Sequence, residues 1–272
     1  MGHLKLAPRQ YANHQTVITV GNARLGAEFV VMAGPCAVES REQMFETAKM
    51  VCDSGAKVLR GGAFKPRTNP YSFQGLGYEG LEILREAGKH FERPIVTEVM
   101  DPRDVGKMTD YADILQIGAR NMQNYSLLKE VGTVTTPVML KRGLCATVDE
   151  WLSCAEYILA AGNPNVLLCE RGIRTYETAT RNTLDLSAVA LAKTITHLPI
   201  IVDPSHAVGV RELIEPLSMA ALAAGADGII VEVHCNPAVA LCDREQALTG
   251  DDFARMMRRL NHLNNAMQSL PE

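Results

Sequence analysis

Eight short apolar runs, each ending in a charged or turn-forming motif, set the strongest constraint on how this chain can fold. The motifs are GPCAVES (34–40), LRGGAFKPRTNP (59–70), TEVMDP (97–102), QIGARNMQN (116–124), MLKRG (139–143), CERGIRTY (169–176), DPSH (203–206) and VEVH (231–234). Runs such as PIIV and GIIVEV are continuously apolar, as parallel strands covered on both faces must be. They predict strands near Phe29–Ala33, Val58–Arg60, Ile95–Val99, Ile114–Ile117, Val138–Leu140, Val166–Cys169, Ile200–Val202 and Ile229–Val233. Between them, apolar residues recur at three and four over 41–55, 78–91, 149–162, 185–197, 212–225 and 251–267, and several of these stretches end in Gly, a common helix stop. Shorter helices are expected around Asp104–Asp110 and Tyr125–Val131. Strand–helix alternation implies right-handed crossovers in a parallel sheet, and eight regular units favour closure into an α/β (β/α)8 TIM barrel over an open doubly wound sheet. The barrel is assigned to residues 29–272. Residues 1–28 form an extension in which TVITVGNARLG reads as a β-hairpin turning at Gly21-Asn22. That hairpin suits either a plug for the barrel bottom or an association surface.

A chain of 272 residues suits one α/β domain, and no apolar run is long enough to cross a bilayer. The first residues lack the apolar stretch of a secretory signal, so a cytoplasmic location is expected. The seven cysteines are scattered and form no CxxC pair, which disfavours a disulfide framework and points to small core hydrophobes for most of them. With 27 Lys and Arg against 31 acids the net charge is −4, so the surface as a whole does not attract nucleic acid. A local basic cluster in such a chain marks a binding site.

In a closed barrel the loops after the strands meet at one rim, and that rim would gather Arg60, Lys65, Arg67, Arg120, Lys141, Arg142, Arg171 and Arg174. Guanidinium forks and ammonium groups in this number call for a strongly anionic ligand carrying several phosphate or carboxylate groups. Within GGAFKPRTNP, two glycines permit close backbone approach, while Lys65, Arg67 and Thr68 offer three phosphate-binding groups. A second set, Cys36, His206, Glu232 and Asp243, combines thiolate, imidazole and carboxylates in a mixture suited to one divalent ion such as Mn, Zn, Fe or Co. Composition alone leaves His234 and Asp203 equally open as ligands.

Taken together and in this order, the eight motifs resemble those of the metal-dependent 3-deoxy-D-arabino-heptulosonate 7-phosphate (DAHP) synthases of the short, type I-beta group, over roughly Phe29 to the last helix. The resemblance implies that Cys36, His206, Glu232 and Asp243 hold the metal. It implies that Arg60, Lys65, Arg120, Lys141 and Arg171 hold phosphoenolpyruvate, and that Arg67 and Thr68 hold the phosphate of erythrose 4-phosphate. Lys65 is the expected proton donor, with His206 as the runner-up, and Cys36 joins them in the catalytic set through the metal. Sister enzymes that make 3-deoxy-octulosonate 8-phosphate from arabinose 5-phosphate carry a KANRS-like sequence where this chain reads KPRT, a difference that selects the four-carbon aldehyde. Barrels often associate and the hairpin offers an interface, so a homo-oligomer, dimer or tetramer, is expected, with a separate regulatory protein left open. Many relatives carry an appended regulatory domain, for which this chain has no room, so the isolated protein is expected to be insensitive to phenylalanine, tyrosine and tryptophan. The alternatives are the arabinose 5-phosphate synthase, a Schiff-base aldolase built on Lys141, and a non-catalytic phosphate-binding barrel.

Overall fold

The computed structural model describes residues 2–67 and 69–269. Strands β1 (Ile18–Val20) and β2 (Ala23–Leu25) form an antiparallel hairpin. Parallel strands β3 (Val30–Gly34), β4 (Val58–Arg60), β5 (Ile95–Glu98), β6 (Ile114–Ile117), β7 (Val138–Lys141), β8 (Val166–Glu170), β9 (Ile200–Val202) and β10 (Gly228–Glu232) then close into a barrel, with β10 pairing back onto β3. The connections carry α1 (Arg41–Asp53), α2 (Tyr78–His90), α3 (Val105–Met108), α4 (Tyr125–Val131), α5 (Val148–Ala160), α6 (Leu186–Ile195), α7 (Pro204–Val208) and α8 (Arg211–Ala223), and α9 (Gly250–Gln268) follows the last strand. Among the described residues no helix is long and apolar enough to cross a membrane.

The strand pleat sorts the apolar runs into two cores. Val31, Ala33, Leu59, Leu115, Leu140, Leu168, Val202 and Val231 face outward and pack with the helices. Their neighbours Met32, Val58, Val96, Ile114, Met139, Leu167, Cys169, Ile201 and Ile230 form the interior. Helices start where capping side chains relieve unpaired amides: Ser40 accepts from the Gln43 amide, Thr147 and Glu150 form a reciprocal capping box, and Asp185 and Thr249 act likewise.

Strand and helix limits fall close to those expected from sequence, with two departures. The stretch around Asp104–Asp110 is shorter, a turn at Pro102–Asp104 leading into α3. DPSH, expected as a bare strand end, opens α7: Pro204 sits in the first helical turn and the Asp203 carboxylate accepts from the His206 amide.

Of the two uses open to the hairpin, the structure shows the plug. Ile18, Val20, Ala23 and Leu25 are buried in the same cluster as the inward-facing strand residues, sealing the end of the barrel opposite the motif-bearing loops. The preceding segment is tied down by charge-assisted hydrogen bonds, with the Glu156 carboxylate accepting from the amides of Lys5, Leu6 and Ala7. The His197 ring stacks on His14 at 4.0 Å and bridges this segment. Its Nε2 donates to the Leu6 carbonyl at 2.7 Å, so Nδ1 accepts from the Thr16 hydroxyl at 2.6 Å.

Two outcomes follow. Leu25→Ala should destabilise the barrel by roughly 2–5 kcal/mol, as large-to-small changes at fully buried sites do, and thermal unfolding reads it; an unchanged midpoint would remove the plug from the core. Burial lowers the His197 pKa, so the folded protein holds it neutral while the unfolded chain takes up a proton at about 6.5. This contribution is therefore complete above that value and declines as pH falls through it toward the folded pKa. NMR titration should find His197 protonating below the ordinary histidine range, and a value at or above it would contradict the assignment.

Candidate active site

The pleat that fills the interior with apolar side chains also aims the chemistry. Two residues beyond an inward-facing apolar side chain, the next inward position carries a polar group: Arg60 after Val58, Glu98 after Val96, Gln116 after Ile114, Lys141 after Met139, Arg171 after Cys169, Asp203 after Ile201 and Glu232 after Ile230. On β3 the corresponding position is Gly34, and Cys36 follows in the same phase.

Cys36, His206, Glu232 and Asp243 converge from the loop after β3, from α7, from the tip of β10 and from the loop beyond it. Their sulfur, imidazole nitrogen and two carboxylate oxygens all lie within 4.8 Å of one another. His206 Nε2 is 3.1 Å from Glu232 Oε1, and Cys36 Sγ is 3.3 Å from Asp243 Oδ2. The arrangement is braced from behind. Asp203, itself buried, accepts from His206 Nδ1 at 2.8 Å and leaves Nε2 facing the cluster. Gln246 Nε2 donates to Glu232 Oε2, and the Glu232 amide donates to the Ser205 hydroxyl. A set of one sulfur, one nitrogen and two carboxylates, with Cys36 and Glu232 buried and His206 and Asp243 half-buried, oriented by outer hydrogen bonds, fits a borderline divalent transition metal.

Electrostatics agree with that fit. Burial pushes Glu232 up, but His206, Arg60 and Lys65 outweigh it and hold the carboxylate well below the usual range. Asp243 is also depressed: burial and Glu232 oppose ionisation, and His206, Arg181 and Lys65 prevail. The Cys36 thiol is pushed up by its hydrogen bond with Cys242, by burial and by the Glu232 charge, so a cation among these groups would relieve a strongly anionic spot.

Beside this cluster opens a cavity of about 390 Å³ at the C-terminal face of the barrel. Arg60, Lys65, Arg67, Arg120, Lys141 and Arg171 all line it, together with Arg174 and Arg181. Against these eight cations the lining offers two carboxylates, Glu98 and Asp243, so the cavity selects anions. Thr68 lies outside the described residues. Arg60 is held by Glu232 at 2.7 Å, Lys141 is paired with Asp203, and Arg171 Nη2 donates to the His206 carbonyl at 2.9 Å.

Lys65 stands between the two halves of the site. Its Nζ donates to Cys36 Sγ at 3.0 Å and to the Cys36 carbonyl at 3.1 Å. That fold-back crosses Gly62, where an added Cβ would come within 2.7 Å of the Lys65 side chain and 2.8 Å of the Cys36 carbonyl oxygen. Burial and the neighbouring Arg60 charge lower the ammonium pKa, but Cys36 in its thiolate form, together with the Glu232 and Glu98 carboxylates, outweighs both and raises it above the ordinary lysine value.

Several residues depart from the expected cast. Arg142, anticipated on the cationic rim, points away: it shares the outward phase of Leu140 and is buried against Glu170 at 3.0 Å and Asp185 at 2.9 Å. Asp203 and His234, open as ligands on composition, stand outside the four-group cluster; His234 Nε2 faces Glu39 instead, at 3.5 Å. Glu98, Gln116 and Arg181 line the cavity without having been anticipated, and Gln246 braces Glu232. Glu98 occupies space that exists because residue 118 is Gly, whose added Cβ would lie 2.1 Å from Glu98 Oε1. The strand phase marks Glu98 and Gln116 in the sequence; Arg181 and Gln246, far along loops, carry no such signal.

Comparison with known proteins adds an independent line. A model of the DAHP synthetase I family matches residues 11–269. The phospho-2-dehydro-3-deoxyheptonate aldolase of Thermotoga maritima is 52% identical over 97% of this chain and 78% of the relative. The crystal structure of that DAHP synthase superposes with a TM-score of 0.94, covering 97% of this chain and 78% of its own. A truncated form of the Thermotoga maritima synthase superposes with a TM-score of 0.90 at 48% identity, covering 96% of this chain and 97% of its own. The 2-dehydro-3-deoxyphosphooctonate aldolase of Acidithiobacillus ferrooxidans is more distant, at 31% identity over 92% of this chain and 95% of the relative. With its barrel, its motifs and nearly its whole length matched, the chain belongs to the DAHP synthetase I family.

Proposed function

We propose that this chain condenses phosphoenolpyruvate with D-erythrose 4-phosphate and water to give DAHP and inorganic phosphate, the first step of the shikimate route to aromatic amino acids. The observation that carries this reading is the fusion, at one barrel rim, of a cavity lined by eight cations with a half-buried sulfur, nitrogen and carboxylate cluster. An ordinary phosphate-binding barrel has use for the first and none for the second.

Arg60, Lys65, Arg120, Lys141 and Arg171 hold the phosphate and carboxylate of phosphoenolpyruvate, and their fixed charges lower the cost of the charge that develops in a partly dry cleft. Arg67, beside Thr68 on the KPRT loop, takes the phosphate of the aldehyde. Cys36, His206, Glu232 and Asp243 hold the divalent ion, which when bound supplies Lewis acidity toward the aldehyde oxygen. C3 of phosphoenolpyruvate forms the new bond to the aldehyde carbon, water oxygen bonds to C2, and the C2–O bond to phosphate breaks. The aldehyde oxygen ends as a hydroxyl and needs a proton. Lys65 delivers it: the side chain is held charged beside the cluster, and an alkoxide is a stronger base than an amine. His206 is less suited, since Asp203 engages Nδ1 and Nε2 faces the ligand cluster. A Schiff-base route through Lys141 is disfavoured by its buried ion pair with Asp203, which already engages the amine. The preference for the four-carbon aldehyde rests on KPRT and on the nearness of the Thermotoga synthase relative to the octonate enzymes.

Chelator-stripped protein should consume phosphoenolpyruvate with erythrose 4-phosphate only after Mn²⁺ or Zn²⁺ is restored, with little turnover of arabinose 5-phosphate. Preference for arabinose 5-phosphate would overturn the KPRT argument, and no turnover with either would favour the binding barrel. Lys65→Met should lower kcat by about 10²–10⁴-fold, the range for losing a positioned proton donor, while the chain still folds cooperatively. Turnover at the parent rate would remove Lys65 from the chemistry.

A further inference from the structure

Asp243 is the weakest-founded member of the ligand cluster. Cys36 and Glu232 follow directly from strands and His206 sits in α7, but Asp243 lies on the long connection between β10 and α9. Its backbone is left-handed, with φ of 47°, a conformation a non-glycine residue keeps only when its surroundings impose it. Of the side chains ahead of it, Ala240 and Cys242 are buried, the latter in a small cluster with Cys36 and Ala37, whereas Val239 and Leu241 are exposed.

We infer that Glu39 is a positioning residue for Asp243, holding the loop that presents this ligand. The inference rests on the reading of Cys36, His206, Glu232 and Asp243 as the metal ligands. Glu39 Oε1 accepts from the Leu241 amide at 2.8 Å, two residues ahead of Asp243. Among the described residues, no other side chain is hydrogen-bonded to the backbone of residues 237–243. Glu39 is itself oriented from the far side. His234 Nδ1 accepts from the Asn236 amide at 3.0 Å, so the ring proton resides on Nε2, and Nε2 points at Glu39 Oε2 from 3.5 Å. His234 is buried and its Nε2 makes no hydrogen bond, so the Glu39 carboxylate at 3.5 Å is the polar group it faces. Glu39 follows Cys36 in the GPCAVES loop, and His234 follows Glu232 in VEVH. One carboxylate thus ties the loop that carries Cys36 to the loop that carries Asp243, alongside the packing of Cys242 on Cys36, and so contributes to the spacing of two ligands distant in sequence. Glu39 touches none of the four ligand atoms, so it acts on the metal only through the backbone it holds.

Cobalt(II) titration of the chelator-stripped full chain tests this, reading the thiolate-to-cobalt absorption band and the affinity by chelator competition. The parent should show the band, reporting Cys36 as a ligand. Glu39→Ala should weaken cobalt binding by about 10–100-fold, the usual effect of removing an outer-shell partner, with the metal-free unfolding midpoint close to that of the parent. Glu39→Gln keeps an oxygen for the Leu241 amide and should lose distinctly less. Affinity within about twofold of the parent in Glu39→Ala, or equal losses in both variants, would overturn the inference. Should Glu39→Ala fail to fold, Glu39→Met, which keeps the length of the side chain and loses the acceptor for the Leu241 amide, takes its place, and cobalt affinity within about twofold of the parent there sinks the inference. A parent without the thiolate band would instead bring down the ligand reading, and this inference with it.

Discussion

Everything in this barrel depends on the two-residue period of its parallel strands. One phase of each strand meets the helices and must be apolar; the other meets the barrel axis and is apolar only as far as the interior is closed to water. Where the interior opens at the C-terminal face, the same phase turns polar on seven strands, and five of these side chains, Arg60, Glu98, Gln116, Lys141 and Arg171, line one cavity. The hairpin closes the opposite end with Ile18, Val20 and Leu25, so the polar layer sits on a dry floor. Arg142 makes the point by contrast: one residue beyond Lys141, it falls in the outer phase and becomes a buried clamp between the loops after β7 and β8.

Opposite charges in that layer are interlocked. Arg60 reaches Glu232, Lys141 reaches Asp203, and Asp203 reaches His206, so the cation-lined cavity and the candidate metal cluster share carboxylates. Both carboxylates are nearly inaccessible to solvent, a setting in which an unpaired charge costs about 3–5 kcal/mol. Neither half of the site could therefore be altered without disturbing the other. That coupling suits a reaction in which two anionic substrates must meet beside one cation, because the charges that bind them are held in place before they arrive.

Much of this was legible in the chain. The eight apolar runs became the eight strands, with ends within a residue or so of expectation, because a continuous Val- and Ile-rich run between turn signals has few other fates. Cys36, His206, Glu232 and Asp243 meet, and so do the cations expected at the rim apart from Arg142, because closure brings the loops after the strands to one side. Less legible was whatever depends on side-chain direction or on loop path. Glu98 and Gln116 required the inward phase to be followed to the strand tips. Arg181, Gln246 and the left-handed turn at Asp243 depend on how two long loops fold back, which no local pattern encodes. The hairpin could be recognised from alternation about Gly21-Asn22, while its place beneath the barrel follows from which apolar surface was left uncovered.

The proposed chemistry requires one divalent ion and one phosphoenolpyruvate side by side at this rim. Anomalous diffraction at the manganese edge, from crystals containing Mn²⁺ and phosphoenolpyruvate, tests this arrangement. One strong peak is expected among Cys36, His206, Glu232 and Asp243, with phosphoenolpyruvate next to it, its phosphate and carboxylate among Arg60, Lys141 and Arg171. A peak on other residues, or phosphoenolpyruvate bound away from the ion, would contradict it.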